Sequence, residues 1–124
     1  MGSGSAIGGP LGKLLANSTD LGPSQGHSVQ VTVALRSAVR PTALLDWAVH
    51  HKLSVRWRDG DDFAYVEGAP ADFGDAFGIA VHDYRGPDGR LFYASTEQPE
   101  VPTPVRADVS ELGRVLSYHP VHRA

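Results

Sequence analysis

Cysteine is absent from this chain of 124 residues, which excludes disulfides and thiolate metal sites. A surplus of basic charge is absent too. Eleven Lys and Arg stand against 14 Asp and Glu, a net charge of −3, so there is no electrostatic footprint for nucleic acid or an acidic membrane surface. No apolar run approaches the ~18 residues of a membrane span. The N-terminus carries neither the basic region nor the apolar core of a signal peptide. Phosphate-cradling glycine loops are missing, and Ser37, Ser95, Ser110 and Ser117 lie in no Gly-x-Ser-x-Gly setting. What is present is a hydrophobic content of 41%, ordinary for one domain with a modest core.

Residues 1–28 are rich in Gly, Ser and Pro, with only Leu11, Leu14 and Leu15 to bury. They read as a flexible leader with at most a turn of helix, and Met1 to Ser5 as appended sequence. Val29, Val31, Val33 and Leu35 then alternate with polar or small residues, the pattern of a strand. Pro41 opens a helix through about His51, with Leu44, Trp47, Ala48 and His51 along one stripe. Leu53, Val55 and Trp57 alternate with Ser54, Arg56 and Arg58 as a second strand, turned at Asp59-Gly60 into a third, Phe63 to Glu67, closed by Gly68. Pro70 starts a short helix with Asp72 at its positive end. Phe73, Ala76 and Phe77 share its face, and Gly78 is placed for a left-handed cap.

Residues 79–84 restart a strand. Arg85 to Arg90 makes a turn, and Leu91 to Ser95 folds back as a hairpin. Pro99, Pro102 and Pro104 mark an extended connector, Val105 to Val115 a short helix, and Leu116 onward a tail. The order strand, helix, strand, strand, helix, strand predicts an α+β domain. The expected form is a ferredoxin-like antiparallel sheet with two helices on one face, plus an extra hairpin and a C-terminal helix.

Candidate chemistry is thin. None of the six histidines (His27, His50, His51, His82, His119, His122) forms an i, i+4 pair suited to a metal on a helix, and ordinary surface positions explain them more simply. His51, on the helix stripe, and His82, on a strand, are candidate pH sensors: if partly buried, protonation there would cost stability. Asp59, Asp61 and Asp62 surround Gly60 but lack the closing Glu of a calcium loop, so they read as a polar hairpin tip. Arg56 and Arg58, with Arg85 and Arg90, form a small basic patch or, more simply, part of a solvated sheet face. No catalytic residue, metal or cofactor is assigned.

Several runs resemble one family. Val66-Glu-Gly68, Phe73, Ala76-Phe-Gly-Ile79 and Tyr84 are similar to the core motif of the activation domain of sedolisin-type (kumamolisin-like) serine-carboxyl peptidases. Asp20-Leu-Gly-Pro23 and Val31 to Arg36 resemble the start and first strand of that domain. Trp47 to Val55 resembles its aromatic-ended helix followed by His-Gly-Leu and a strand. Tyr93-Ala94, the proline-bearing connector and Val115 to Tyr118 parallel the segment leading to its cleavable linker. The departures are Lys52 in place of the glycine before Leu53, Ser117 in place of a later glycine, and only Ser37 to Thr42 where the family has a longer helical insertion.

The resemblance implies a non-catalytic propeptide over residues 29–118, followed by a 119–124 tail toward the processing linker. It would act as intramolecular chaperone and inhibitor until acid-triggered self-cleavage. It also implies a secreted bacterial preproprotein, the catalytic domain as intramolecular partner, and a monomer. Calcium is expected only in the downstream catalytic domain. Gly68, Phe73, Ala76, Phe77, Gly78 and Tyr84 would be the structural motif, and Ser117, Tyr118, His119 and Pro120 the processing region. The alternative is a stand-alone ferredoxin-like binding or regulatory module, since such folds host many functions. An acylphosphatase-like enzyme is disfavoured because the only Asn, Asn17, lies in the leader.

Overall fold

The computed structural model describes residues 5–6, 9–25 and 28–117. In chain order its elements are β1 (Ser5–Ala6), α1 (Gly9–Ala16), β2 (Thr19–Pro23), β3 (Val29–Leu35), α2 (Thr42–His50), β4 (Ser54–Arg56) and β5 (Phe63–Gly68). They continue with α3 (Pro70–Phe77), β6 (His82–Arg85), β7 (Leu91–Ala94), β8 (Glu97–Gln98), a 3-10 turn (Thr103–Val105) and β9 (Val109–Leu112). The strands form a four-stranded antiparallel sheet ordered β4-β5-β3-β9, a three-stranded antiparallel sheet β2-β6-β7, and the short pair β1-β8.

β3 is central, and its alternation decides which face is covered. Val29, Val31, Val33 and Leu35 are buried on one side with Ala64 and Val66 of β5, their register partners being Gly68, Val66 and Ala64. Leu44, Trp47 and Ala48 of α2 and Phe73 and Phe77 of α3 join the same cluster, and the Trp47 and Phe77 rings meet edge-on at 5.2 Å. Both helices therefore lie on one face, and each large side chain so buried contributes about 1.5–3 kcal/mol. The α+β class expected from the sequence holds.

The helix ends fix how the chain leaves each helix. α2 stops in a left-handed turn at Lys52 (φ +60°), where the Lys52 N–H donates to Val49 O at 3.2 Å and the Leu53 N–H to Ala48 O at 2.9 Å. Those two bonds close a Schellman motif on a residue with a Cβ, at a position that glycine occupies at less cost. α3 also ends in a left-handed residue, Gly78 (φ +67°), but there the Gly78 and Ile79 N–H groups both donate to Gly74 O. The returning chain passes so close that a Cβ on Gly74 would sit 2.7 Å from Ile79 O.

Several expected elements are corrected. The helix expected over residues 105–115 does not form; Val105 ends the 3-10 turn and no helix follows it. Val105, Val109 and Leu112 fit a helical period, but the open edge of β3 takes the segment as a strand. β9 pairs with Val33–Leu35, the Gly113 N–H donates to Thr32 O at 2.8 Å, and the Gln30 N–H beyond the end of the ladder donates to the Tyr93 hydroxyl at 3.0 Å. The strand expected at residues 79–84 begins only at His82 and lies in the second sheet, and the fourth strand of the main sheet is β9.

The leader is not a plain flexible segment. α1 supplies Leu14 and Leu15 to a second cluster of Tyr84, Phe92 and Ala94, and β2 pairs with β6 through a bulge between Asp20 and Pro23. Glycine and proline had hidden this strand, because a bulged edge tolerates both. The first two residues of the tail expected from Leu116 are pinned as well: Leu116 bridges Ala94, and the Ser117 N–H donates to Tyr93 O at 3.0 Å.

α2 begins after the buried Pro41, with no cap from its own first turn. The Asp108 carboxylate takes that role from 64 residues away, accepting the Leu44 N–H at 3.0 Å, while its carbonyl accepts the Arg36 N–H at 2.8 Å. Asp108→Ala is expected to lower stability by about 1 kcal/mol, read as the urea midpoint, with Asp108→Asn closer to wild type. Lys52→Gly is expected to raise stability by about 0.5–1 kcal/mol in the same titration, because the left-handed turn loses its steric cost. An unchanged or lower midpoint would show that Lys52 is not strained.

Candidate functional site

The face of the four-stranded sheet opposite α2 and α3 carries side chains that are exposed or half-buried. Register places Glu111, Ala34 and Phe63 in one row across β9, β3 and β5. The next row is Thr32, Tyr65 and Arg56, and Gln30 lies beside Glu67. Phe63 and Tyr65, two apart on β5, project to the same side, and their rings meet edge-on at 5.6 Å. They make an aromatic ridge. On the β4 side runs a groove of about 450 Å³ bounded by Arg56, Trp57, Arg58 and Asp61. On the other side a trough of about 350 Å³ lies over the small residues Thr32 and Ala34 beside Glu111.

Arg56 is laid across this face. Its guanidinium carbon sits 5.3 Å from the Tyr65 ring centroid, its Nη2 donates to Gln30 Oε1 at 2.8 Å, and its Nε lies 3.7 Å from Glu67 Oε1. Arg58 approaches Asp61 at 3.6 Å, and the Trp57 indole N–H donates to Asp61 O at 2.9 Å, which steadies the hairpin around Gly60. The surface is equipped to bind by shape and charge. Among the described residues no group of three or more His, Asp or Glu is placed to hold a metal ion. No helix among them is long and apolar enough to cross a membrane.

The motif residues divide between two places. Phe73 is fully buried, Phe77 nearly so, and Ala76 packs at the margin of the same core. Gly68 lies under the Leu53 side chain, which leaves no room for a Cβ, and Gly78 caps α3. Tyr84 belongs to the second cluster, stacked on Phe92 at 5.5 Å. Burial pushes its hydroxyl above the usual tyrosine range, with the Asp20 charge adding to the effect.

No protein-family model and no curated protein matches this chain. The site is therefore judged on its geometry. Arg56 and Arg58 share the groove, whereas Arg85 and Arg90 flank the turn of the second sheet and do not line it. Ser117 is bonded to β7, its Oγ accepting the Tyr93 N–H at 2.8 Å. Tyr118, His119 and Pro120 lie outside the described residues, as do His27 and His122. The ridge was hidden in the sequence because Phe63 and Tyr65 read as strand formers. Their alternation with Ala64 and Val66 was the available signal.

The two candidate pH sensors have different surroundings. His51 is half-buried at the end of α2, with its ring centroid 4.8 Å from that of Trp47. His82 on β6 faces the leader strand, its Nδ1 2.9 Å from both carboxylate oxygens of Asp20. His82 thus faces a carboxylate across the seam between the leader and β6. Nearby, the Ser24 hydroxyl donates to Asp83 Oδ1 at 2.7 Å, a second clasp between the leader and β6.

The Gly22 N–H donates to Asp20 Oδ1 at 2.8 Å, and this bond, with His82 second, holds the Asp20 carboxyl below its ordinary 3.8. A carboxyl lowered in the fold contributes stability above its unfolded value and loses it as pH falls through the folded value. Wild type is therefore expected to exceed Asp20→Asn in thermal midpoint at neutral pH, with the gap closing only below 3.8. A gap that stays constant down to strongly acid pH would show that the carboxylate charge contributes nothing.

Proposed function

We propose that this chain is the activation domain of a sedolisin-type serine-carboxyl peptidase. It assists folding of the catalytic domain and inhibits it until acid-triggered self-cleavage releases it. The observation that carries this reading is the left-handed backbone at Lys52. The family pattern has glycine at that point, between the aromatic-bearing helix and the following strand, and glycine is the residue such a turn favours. The resemblance thus agrees with a backbone requirement that composition and periodicity do not reveal.

The outer sheet face, with its aromatic ridge, is the docking surface in this reading. An inhibitory prodomain needs about 1,600 Å² of total buried interface and no reactive group of its own. The catalytic Glu, Asp and Ser of the family, and its calcium site, belong to the catalytic domain, and no residue here takes those roles. The parent protein is secreted, and the catalytic domain is the intramolecular partner.

The test is a titration of this chain against a sedolisin-type peptidase at about pH 6 and about pH 4, a window in which histidines titrate. Tight inhibition near pH 6, weakening by about tenfold or more near pH 4, is the expected result. Absence of inhibition at both would sink the reading and favour a stand-alone binding module.

A further inference from the structure

We propose that Asp59-Gly60, at the tip of the β4–β5 hairpin, is a site of spontaneous isoaspartate formation, and that the fold protects the chemically identical pair Asp88-Gly89 from the same reaction. This modification goes beyond the prodomain reading and stands or falls separately from it.

The chemistry needs a carboxyl group and the main-chain nitrogen that follows it. The glycine nitrogen attacks the aspartate Cγ and an N–Cγ bond forms. The carboxyl hydroxyl leaves with the amide proton as water, which gives a five-membered succinimide. Solvent water then opens the ring. Addition at Cγ restores aspartate. Addition at the main-chain carbonyl carbon leaves the chain running through Cγ, which is isoaspartate, of unchanged mass. A side chain on the following residue crowds the attacking nitrogen, so glycine is the favourable neighbour. Of the aspartates in this chain, only Asp59 and Asp88 are followed by glycine.

Space does not separate the two pairs. Both aspartates are exposed, and a Cβ placed on Gly60 or Gly89 would meet nothing within 4 Å. Both glycines sit at positive φ, +91° and +84°. Hydrogen bonding separates them. The Gly89 N–H, which must supply the nucleophile, donates to Gly86 O at 2.9 Å. The Asp88 carboxylate, which must supply the electrophile, accepts the Arg90 N–H on Oδ1 at 3.0 Å and lies 3.5 Å from Arg90 Nε through Oδ2. Each reacting group has to leave a partner before they meet.

At the hairpin tip neither is tied. Among the described residues no hydrogen bond or ion pair holds the Asp59 side chain or the Gly60 N–H. The turn is closed one residue further out on each side, where the Asp61 N–H donates to Arg58 O at 3.0 Å and the Arg58 and Asp61 side chains approach to 3.6 Å. The central peptide therefore turns toward the Asp59 side chain with the closing bond intact. Isoaspartate adds one carbon to the main chain of this tip, and the length of the tip sets the register that pairs Arg56 with Tyr65.

The experiment holds the full chain in warm, mildly acid buffer, with and without urea, and samples it over weeks. Peptides spanning residues 59 and 88 are separated after digestion. Isoaspartate is identified by electron-transfer fragmentation and by methylation with isoaspartyl methyltransferase and S-adenosylmethionine. In the folded chain, conversion at Asp59 is expected to exceed that at Asp88 by about tenfold, the penalty of opening one or two hydrogen bonds. In urea, where neither turn survives, the two should agree within about threefold. A ratio in the folded chain no larger than the ratio in urea overturns the proposal. So does a folded chain that converts at neither site while the unfolded chain converts at both. Asp59→Glu, a change at an exposed position, should remove most of the methylation signal of the folded chain, and a signal that survives it also overturns the proposal.

Discussion

A strand in the middle of a sheet must have its N–H and C=O groups satisfied on both edges, and β3 meets only one of those needs with a partner from the next hairpin. β5 fills one side along the length of β3. The other side waits for residues some 75 positions further along the chain, where Glu111 pairs with Ala34. That open edge organises the C-terminal half. It draws residues 109–112 out of a helix and into β9, and it brings Gly113 to Thr32. Past the end of β9 it places the Tyr93 hydroxyl on the Gln30 N–H, which ties the second sheet to the first. Leaving such groups buried and unpaired costs about 1–3 kcal/mol each, more than the local preference of a few residues for helix.

The same requirement arranges the helices. With the chain returning to β3 at residue 109, Asp108 falls at the start of α2 and caps it, and Val105 fills the space beneath. α2 and α3 end in left-handed turns at Lys52 and Gly78, so each chain reversal is tight and both helices stay on one face. The opposite face is left with Phe63, Tyr65 and Arg56 held by neighbours on adjacent strands. Side chains already held in place on adjacent strands lose little freedom on contact with another surface. The leader strand is held to β6 by backbone pairing, by the Asp20–His82 contact and by the Ser24–Asp83 hydrogen bond.

Much of the first half was legible in the residues. The Val29–Leu35 alternation, the Leu44–Trp47–Ala48 stripe, the Asp59-Gly60 turn and the Pro70-to-Gly78 helix are local patterns, and local geometry fulfils them. The candidate docking face was legible only in part. Arg56 and Arg58 could be put on one side of a strand, but not beside Tyr65, which required the register of β4 on β5. Nothing local marks Asp20 and His82 as partners 62 residues apart, or Asp108 as the cap of α2.

By itself the sequence determined the elements whose signals repeat within a few residues, the burial of Phe73 and Phe77, and the lack of a recognisable reactive motif. The tertiary structure decided which strand completes the main sheet, where the leader goes, and which side chains share the exposed face. The physical reason is the same in each case. Periodicity reports how a segment can bury itself, whereas a sheet edge recruits whichever segment can satisfy its hydrogen bonds, however distant in the chain.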